Sequence, residues 1–381
     1  MGTDNRQRMK RSLQRRCRMG CAFSLARFVI GLGLAGCDPK GHDGSHQSDG
    51  AAVDAPFVDE RPTVDCGLNV KASLLDEMAA VNAAIEAGGN AGSQALEVPS
   101  IAERDSFAAL VGQVLGGDEA APCSLPPPYR LKRLAPTDGR VFRVVGEFDG
   151  SGKPAPSRHW GTYVAPSQPS VPARALVIEA PHPVSDKNTV QQATDLFLQS
   201  GAQYLLVAGA HRCTNTQNSG CSGSTTACGT SGPYRISDGA HAVAVPFFAV
   251  HAVISHNWPQ LIFLQLHGNA QACPEALLSD GSGHWSDAGA TATLAAALTA
   301  RGIPVGRCGA EFPQSNCNLC GTENVEARFT AGATNPCVQN GASYGRLVHI
   351  EQRAALRETP DAGVGGYQTL IDAVLASFRP I

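Results

Sequence analysis

From residue 174 to residue 350 the chain alternates short unbroken apolar runs with segments whose apolar positions recur at helical spacing. Ala175-Leu176-Val177-Ile178, Tyr204-Leu205-Leu206-Val207-Ala208, Leu261-Ile262-Phe263-Leu264-Gln265-Leu266, the weaker Ile303-Pro304-Val305 and Leu347-Val348-His349-Ile350 lack the alternation of a strand with one wet face. Parallel strands covered on both sides by crossover helices have this pattern. Helices are predicted over 189–200, stopped by Gly201, in an Ala-rich stretch ending at Gly302, and over 366–378, where Tyr367, Leu370, Ile371, Val374 and Leu375 share a face. Upstream, residues 141–145 and 160–164 read as strands around an Asp149-Gly150 turn, which predicts an edge hairpin. Residues 66–123 carry two further helical patterns. One is built on Leu74, Leu75, Met78, Val81 and Ile85; the other follows a Ser100…Glu103 capping box and uses Phe107, Leu110, Val111 and Val114. The expected fold class is α/β: a three-layer αβα arrangement with a mixed, mostly parallel sheet, plus a small helical N-terminal cap.

Composition narrows the class. At 43% hydrophobic and 17% charged, with 41 Gly and 25 Pro, the 381-residue chain is globular and loop-rich. Arg6, Arg8, Lys10, Arg11, Arg15, Arg16 and Arg18 precede an apolar stretch, Phe28-Val29-Ile30-Gly31-Leu32-Gly33-Leu34, that ends in Ala35-Gly36-Cys37, the layout of a signal peptide. Leu34-Ala35-Gly36-Cys37 looks like the bacterial lipobox, which implies cleavage before Cys37 and a lipid on its thiol. Arg27 interrupts the only candidate for a spanning helix, so membrane attachment is expected through that lipid, in the cell envelope. Beyond the leader, 22 basic residues face 32 acidic ones, a net of about −10 with no basic stripe, so nucleic acid is not an expected partner. No Walker loop or Gly-x-Gly-x-x-Gly opens a helix, so no nucleotide is expected. No Gly-x-Ser-x-Gly elbow supports serine-hydrolase chemistry.

An exported chain meets an oxidising compartment. Setting aside Cys17, Cys21 and Cys37 leaves ten cysteines, an even number suited to five disulfides. Cys66 and Cys123 are expected to pair. Cys213, Cys221, Cys228 and Cys273 form a second group, and Cys308, Cys317, Cys320 and Cys337 a third. The third, with its Cys-x-x-Cys, has a structural zinc site as its alternative.

Ligands of open α/β sheets sit beyond the carboxyl ends of the strands, so the residues after each apolar run are the candidates for chemistry. The first run leads into Glu179-Ala180-Pro181-His182-Pro183-Val184-Ser185-Asp186, the second into His211-Arg212, the third into His267-Gly268-Asn269 and the last into Glu351-Gln352-Arg353. Two imidazoles and a carboxylate make a catalytic zinc set with a fourth position left for water; His182, Asp186 and His267 supply those types, with Glu179 competing for the acid's place. Glu351 is the candidate base for that water. Arg212, with Arg346 or Arg328, could clamp a substrate carboxylate, and His211 could donate to the developing oxyanion. His349 shares a strand face with Glu351 by alternation and is a candidate support for it.

These elements, Glu179-Ala180-Pro181-His182-Pro183, a histidine after a later strand and a late strand ending in glutamate, resemble the zinc carboxypeptidase and N-formylglutamate amidohydrolase group. The resemblance covers residues 174–353. It implies a metal held by two histidines and a carboxylate, with a glutamate base, acting on amide bonds next to a free carboxylate. The peptidase pattern has a glutamate three residues after the first histidine, whereas here that position is Ser185 and the acid, Asp186, comes one later. Asn324 and Arg328, in a segment without a family counterpart, are further candidates to line the substrate pocket. The expected organisation is a lipoprotein signal peptide (1–36), a flexible tether (37–64), the helical cap (65–135) and a hydrolase-like zinc domain (136–381). Its substrate would be a carboxylate-bearing peptide or N-acyl amino acid. The alternative is a non-catalytic, disulfide-stapled surface lipoprotein that binds a partner.

Overall fold

A computed structural model describes residues 66–169, 172–341, 345–359 and 366–381. The signal segment, Cys37 and the tether lie outside the described residues. The strands are β1 (Gly67–Val70), β2 (Tyr129–Leu134), β3 (Phe142–Glu147), β4 (Thr162–Pro166), β5 (Leu176–Ala180), β6 (Tyr204–Val207), β7 (Ile262–Gly268), β8 (Ala276–Ser279), β9 (Val305–Arg307) and β10 (Leu347–Gln352). They form one ten-stranded sheet in the order β1-β2-β3-β4-β6-β5-β7-β10-β8-β9. The central β6-β5-β7-β10 strands are mutually parallel, so their carboxyl ends share one edge, and antiparallel neighbours flank them.

Among the described residues the helices are α1 (Leu74–Gly88), α2 (Ile101–Gly116), α3 (Thr189–Ser200), α4 (Pro246–Asn257), α5 (Ala290–Thr299), α6 (Val325–Thr330) and α7 (Gln368–Ser377). Local chemistry sets their ends: the Ser100–Glu103 capping box opens α2, and Gly201, at φ 65°, closes α3 in the left-handed region that glycine adopts without strain. Apolar residues of α1, α3, α5 and α7 pack with Ile178, Leu205, Leu264 and Ile350 on one face of the sheet. Those of α2, α4 and α6 pack with Val177, Leu206, Phe263 and Leu347 on the other. The three-layer αβα architecture with a mixed sheet is therefore as the pattern predicts.

The amino-terminal helices differ from expectation. They do not form a separate cap; α1 joins one helix layer and α2 the other, their apolar stripes packing into the cores on opposite faces of the sheet. The β3–β4 hairpin is not at the edge either, since β2 pairs with β3 and β1 lies beyond it. The Tyr-Arg-Leu-Lys-Arg-Leu of β2 hides its burial behind Lys132, whose ammonium is buried against Glu77 of α1 at 2.6 Å and over the Phe148 ring at 4.1 Å.

All ten cysteines among the described residues form disulfides: Cys66–Cys123, Cys213–Cys228, Cys221–Cys337, Cys273–Cys317 and Cys308–Cys320. Cys66–Cys123 is as expected. The two downstream groups interpenetrate, since Cys221 and Cys273 each cross to the third group. The alternative four-cysteine zinc site is thereby excluded.

Candidate metal centre

On the face of the sheet that packs against α2, α4 and α6, the side chains of β5, β7 and β10 change character along the strands. Their amino-terminal halves present Val177, Phe263 and Leu347; their carboxyl-terminal halves present Glu179, Gln265 and His267, then His349 and Glu351. Parallel register puts Glu179 and His349 beside Gln265, and Glu351 beside His267. After β5 the chain turns at once through His182-Pro183-Val184-Ser185-Asp186. Asp186 N–H reaches back to the His182 carbonyl at 3.0 Å, and Val184 adopts φ 67°, a strained conformation for a β-branched residue. The strained turn brings an acid four residues after the histidine back to the same point.

At that point three ligand atoms converge. His182 Nδ1 and His267 Nδ1 face each other at 3.2 Å, and Asp186 Oδ2 lies 3.1 Å from the first and 3.8 Å from the second. The outer nitrogens are already committed, His182 Nε2 to Asp238 Oδ1 at 2.8 Å and His267 Nε2 to Gln265 Oε1 at 2.8 Å. Both partners are acceptors, so each ring directs an N–H outward; Nδ1 of His267 turns its lone pair inward, and that of His182 does so once the proton it shares with Asp186 is given up. Besides these mutual approaches, the Gly268 N–H bonds Asp186 Oδ2 at 2.9 Å. Two imidazole nitrogens and a carboxylate oxygen would repel one another unless a positive charge sat among them. The set fits Zn²⁺ held by two histidines and an acid, with outer partners that orient each ring.

Similar solved structures include metallo-carboxypeptidases and an N-formylglutamate amidohydrolase. The amidohydrolase, from Ralstonia eutropha JMP134, is 14% identical over 54% of this chain and 92% of its own, with a TM-score of 0.31. Metallo-carboxypeptidases from Burkholderia cenocepacia and Pseudomonas aeruginosa are 11% and 13% identical, cover 74% and 66% of this chain and 68% and 85% of their own, and both give a TM-score of 0.30. No family model and no curated protein matches. Likeness at this level carries no weight for the role of any residue, which rests on the geometry of the site.

Electrostatics separates the two histidines. Burial and Arg212 oppose a proton on His182, but the Asp238 and Asp186 carboxylates outweigh them and hold its pKa above the ordinary value. His267 is pushed well below it by burial and the neighbouring imidazoles of His349 and His182. Burial works against ionising Asp238 as well, yet Arg212, His241 and His182 keep it well below the usual carboxylate range. At Glu351 the balance goes the other way: burial, then Asp186, outweighs His182, Arg212 and Arg357 and raises its carboxyl to about 8. Its Oε2 has no partner and its Oε1 lies 3.6 Å from His349 Nε2. A ligand-type atom each of His267, His349 and Glu351 falls within 4.8 Å of the others, which puts Glu351 beside the centre without joining the three converging atoms.

The remaining predicted residues divide. His211 accepts the Cys213 N–H at Nδ1, 3.0 Å, which leaves Nε2 as its donor nitrogen, and burial, then Arg212, lowers its pKa from the ordinary value. Arg212 spends Nε and Nη2 on Asp238 Oδ2, at 2.9 and 2.6 Å, so the expected two-pronged substrate clamp is turned inward and Nη1 is what remains. Arg346 lies at the opposite strand edge, bonded to Leu261 and Ser255. Arg328 bonds Thr322 O, Asn340 Oδ1, Ser222 Oγ and the carbonyls of Pro336 and Cys337, which fastens the Cys221–Cys337 loop. Asn324 caps α6 and bonds Gln265. Neither side chain is directed to the converging ligand atoms. Glu179 faces His251 and Gln265, leaving Asp186 as the acid at the centre. The residue that sequence reasoning missed is Asp238, which ties His182, His241 and Arg212 together from an irregular segment; its one signal is the Asp-x-x-His spacing to His241.

Proposed function

We propose that this chain is a metal-dependent amide hydrolase, zinc being the metal the donor set favours, anchored in the bacterial cell envelope through a lipid on Cys37. Its substrate would be a peptide or N-acyl amino acid with a carboxylate beside the scissile bond. The observation that carries the reading is the inward convergence of His182 Nδ1, His267 Nδ1 and Asp186 Oδ2 while both outer nitrogens are held by acceptors. Zinc held there would supply a Lewis acid for the scissile carbonyl and a lowered pKa for water.

The chain's own groups do the rest. Glu351, buried and with a free Oε2, takes the proton of the attacking water and returns it to the leaving nitrogen; its raised pKa suits a group that must both accept and donate. His211 offers its Nε2–H to the carbonyl oxygen as negative charge develops. Arg212, immobilised by Asp238, presents Nη1 to the substrate carboxylate as a single fixed donor.

The test is metal content by elemental mass spectrometry on the purified chain, His182→Ala and His267→Ala, followed by a screen of N-acyl amino acids and short peptides. About one zinc in the parent, little in either variant, and hydrolysis that Glu351→Gln abolishes are expected. A parent that stays metal-free in excess zinc would overturn the hydrolase and leave a partner-binding envelope protein.

A further inference from the structure

We propose that Asn324, the N-cap of α6, is a positioning residue that fixes the tautomer of His267 by locking the amide of Gln265; this rests on the reading of His182, Asp186 and His267 as a metal centre. The chain of constraints begins at the helix end. Asn324 Oδ1 accepts the Ala327 N–H at 2.8 Å, as an N-cap does, so its Nδ2 must face the other way, and it donates to Gln265 Oε1. From the far side, Gln265 Nε2 donates to Glu179 Oε2 at 3.0 Å, and the other oxygen of Glu179 is bonded to His251 Nδ1 at 2.7 Å. The Gln265 amide is thus oriented twice over, nitrogen toward Glu179 and oxygen toward Asn324 and His267.

An oxygen beside His267 Nε2 accepts only a donor. The ring proton therefore sits on Nε2, 2.8 Å from Gln265 Oε1, and Nδ1 is left with its lone pair toward His182 and Asp186. Glu179, His251, Gln265 and Asn324 are 0% exposed and His267 2%, so no solvent is at hand to replace a lost partner. Turning the Gln265 amide over would set its oxygen against Glu179 and its nitrogen against the donors of Asn324 and His267. A helix cap 57 residues further along the chain thereby decides which nitrogen of a metal ligand is free.

The test uses the full chain with Asn324→Asp, Gln265→Leu and the exchange Glu179→Gln/Gln265→Glu. Zinc affinity is read by competition with a chromophoric chelator, and the His267 tautomer, without zinc, from its ring nitrogen-15 shifts. Asn324→Asp keeps a good cap but presents oxygen to oxygen; it and Gln265→Leu are expected to weaken zinc binding about 10- to 100-fold, with loss of the Nε2–H tautomer. The exchange returns an acceptor to His267 and a donor to its neighbour, and should bind zinc within about threefold of the parent. Parent-like affinity and tautomer in Asn324→Asp would overturn the inference while leaving the metal centre standing. If the parent itself bound no zinc, the metal reading would fall, and the tautomer comparison alone would still decide whether Asn324 acts on His267.

Discussion

Replacing Glu351 by glutamine tests the electrostatics of the centre without reference to any substrate. In the folded chain, burial and the nearby Asp186 raise the Glu351 carboxyl from an ordinary 4.5 to about 8. Below about pH 4.5 the carboxyl is protonated in both folded and unfolded states, and its contribution to stability is fully present. As the pH rises toward 8 the unfolded chain gives up this proton while the folded chain keeps it, so the contribution is lost through that window. At about 1.4 kcal/mol per unit, the gap corresponds to a loss of about 3–5 kcal/mol. Glutamine carries no such proton. In urea titrations monitored by circular dichroism, with chelator present, parent stability minus variant stability should therefore fall by about 3–5 kcal/mol between pH 5 and pH 9. Added zinc favours the ionised carboxylate and should shift the fall to lower pH. Parallel stability curves for the two chains across this range would refute the reasoning, because a carboxyl paired or hydrated in the fold would show no such difference.

The His182 proton that Asp238 and Asp186 favour occupies the place of a metal, so zinc binding should release it and affinity should fall as pH falls; calorimetry in buffers of different ionisation enthalpy reads this directly. Gly321, at φ 62°, sits where an added Cβ would come within 2.9 Å of the His349 ring, itself 4.4 Å from His267. Gly321→Ala should cost about 1–3 kcal/mol and weaken zinc binding, whereas Gly332→Ala, also at positive φ but in open space, should lose stability alone. The Cys66–Cys123 bridge spans 57 residues, and replacing both cysteines by serine should lower unfolding free energy by about 4 kcal/mol on chain-entropy grounds, seen as a lower urea midpoint with zinc affinity unchanged.

The central strands are legible because burial on both faces removes polar positions, leaving runs that no exposed segment shows. The same logic explains what escapes. Helix α4, Pro246–Asn257, is apolar nearly all round because it lies between α2 and the sheet, so it has no stripe to recognise. The stripes of α1 and α2 announce that each buries one face without saying against what, and a cap satisfies that requirement as well as the two opposite layers do. At the site, His182, His267 and Glu351 are legible because parallel strands deliver their ends to one edge. Asp238 belongs to no element, so no periodicity could have carried it there.

The polar interruptions inside the buried strands carry more information than the strand ends. Glu179, Gln265 and His349 each break an apolar run at a position where a lone polar group would be costly. Residues on neighbouring strands can meet those costs for one another only if they share a register and a face, as Glu179 and Gln265 do, with a hydrogen bond between them. In-phase interruptions on adjacent buried strands therefore mark a second polar layer behind the ligands. That layer decides which ring nitrogens face inward, and so whether histidines delivered to one edge can share a metal ion at all. Asn324 and Asp238, reaching this layer from α6 and from an irregular segment, are where the ligands' orientation is set, and changes there should act on metal affinity before they act on the fold.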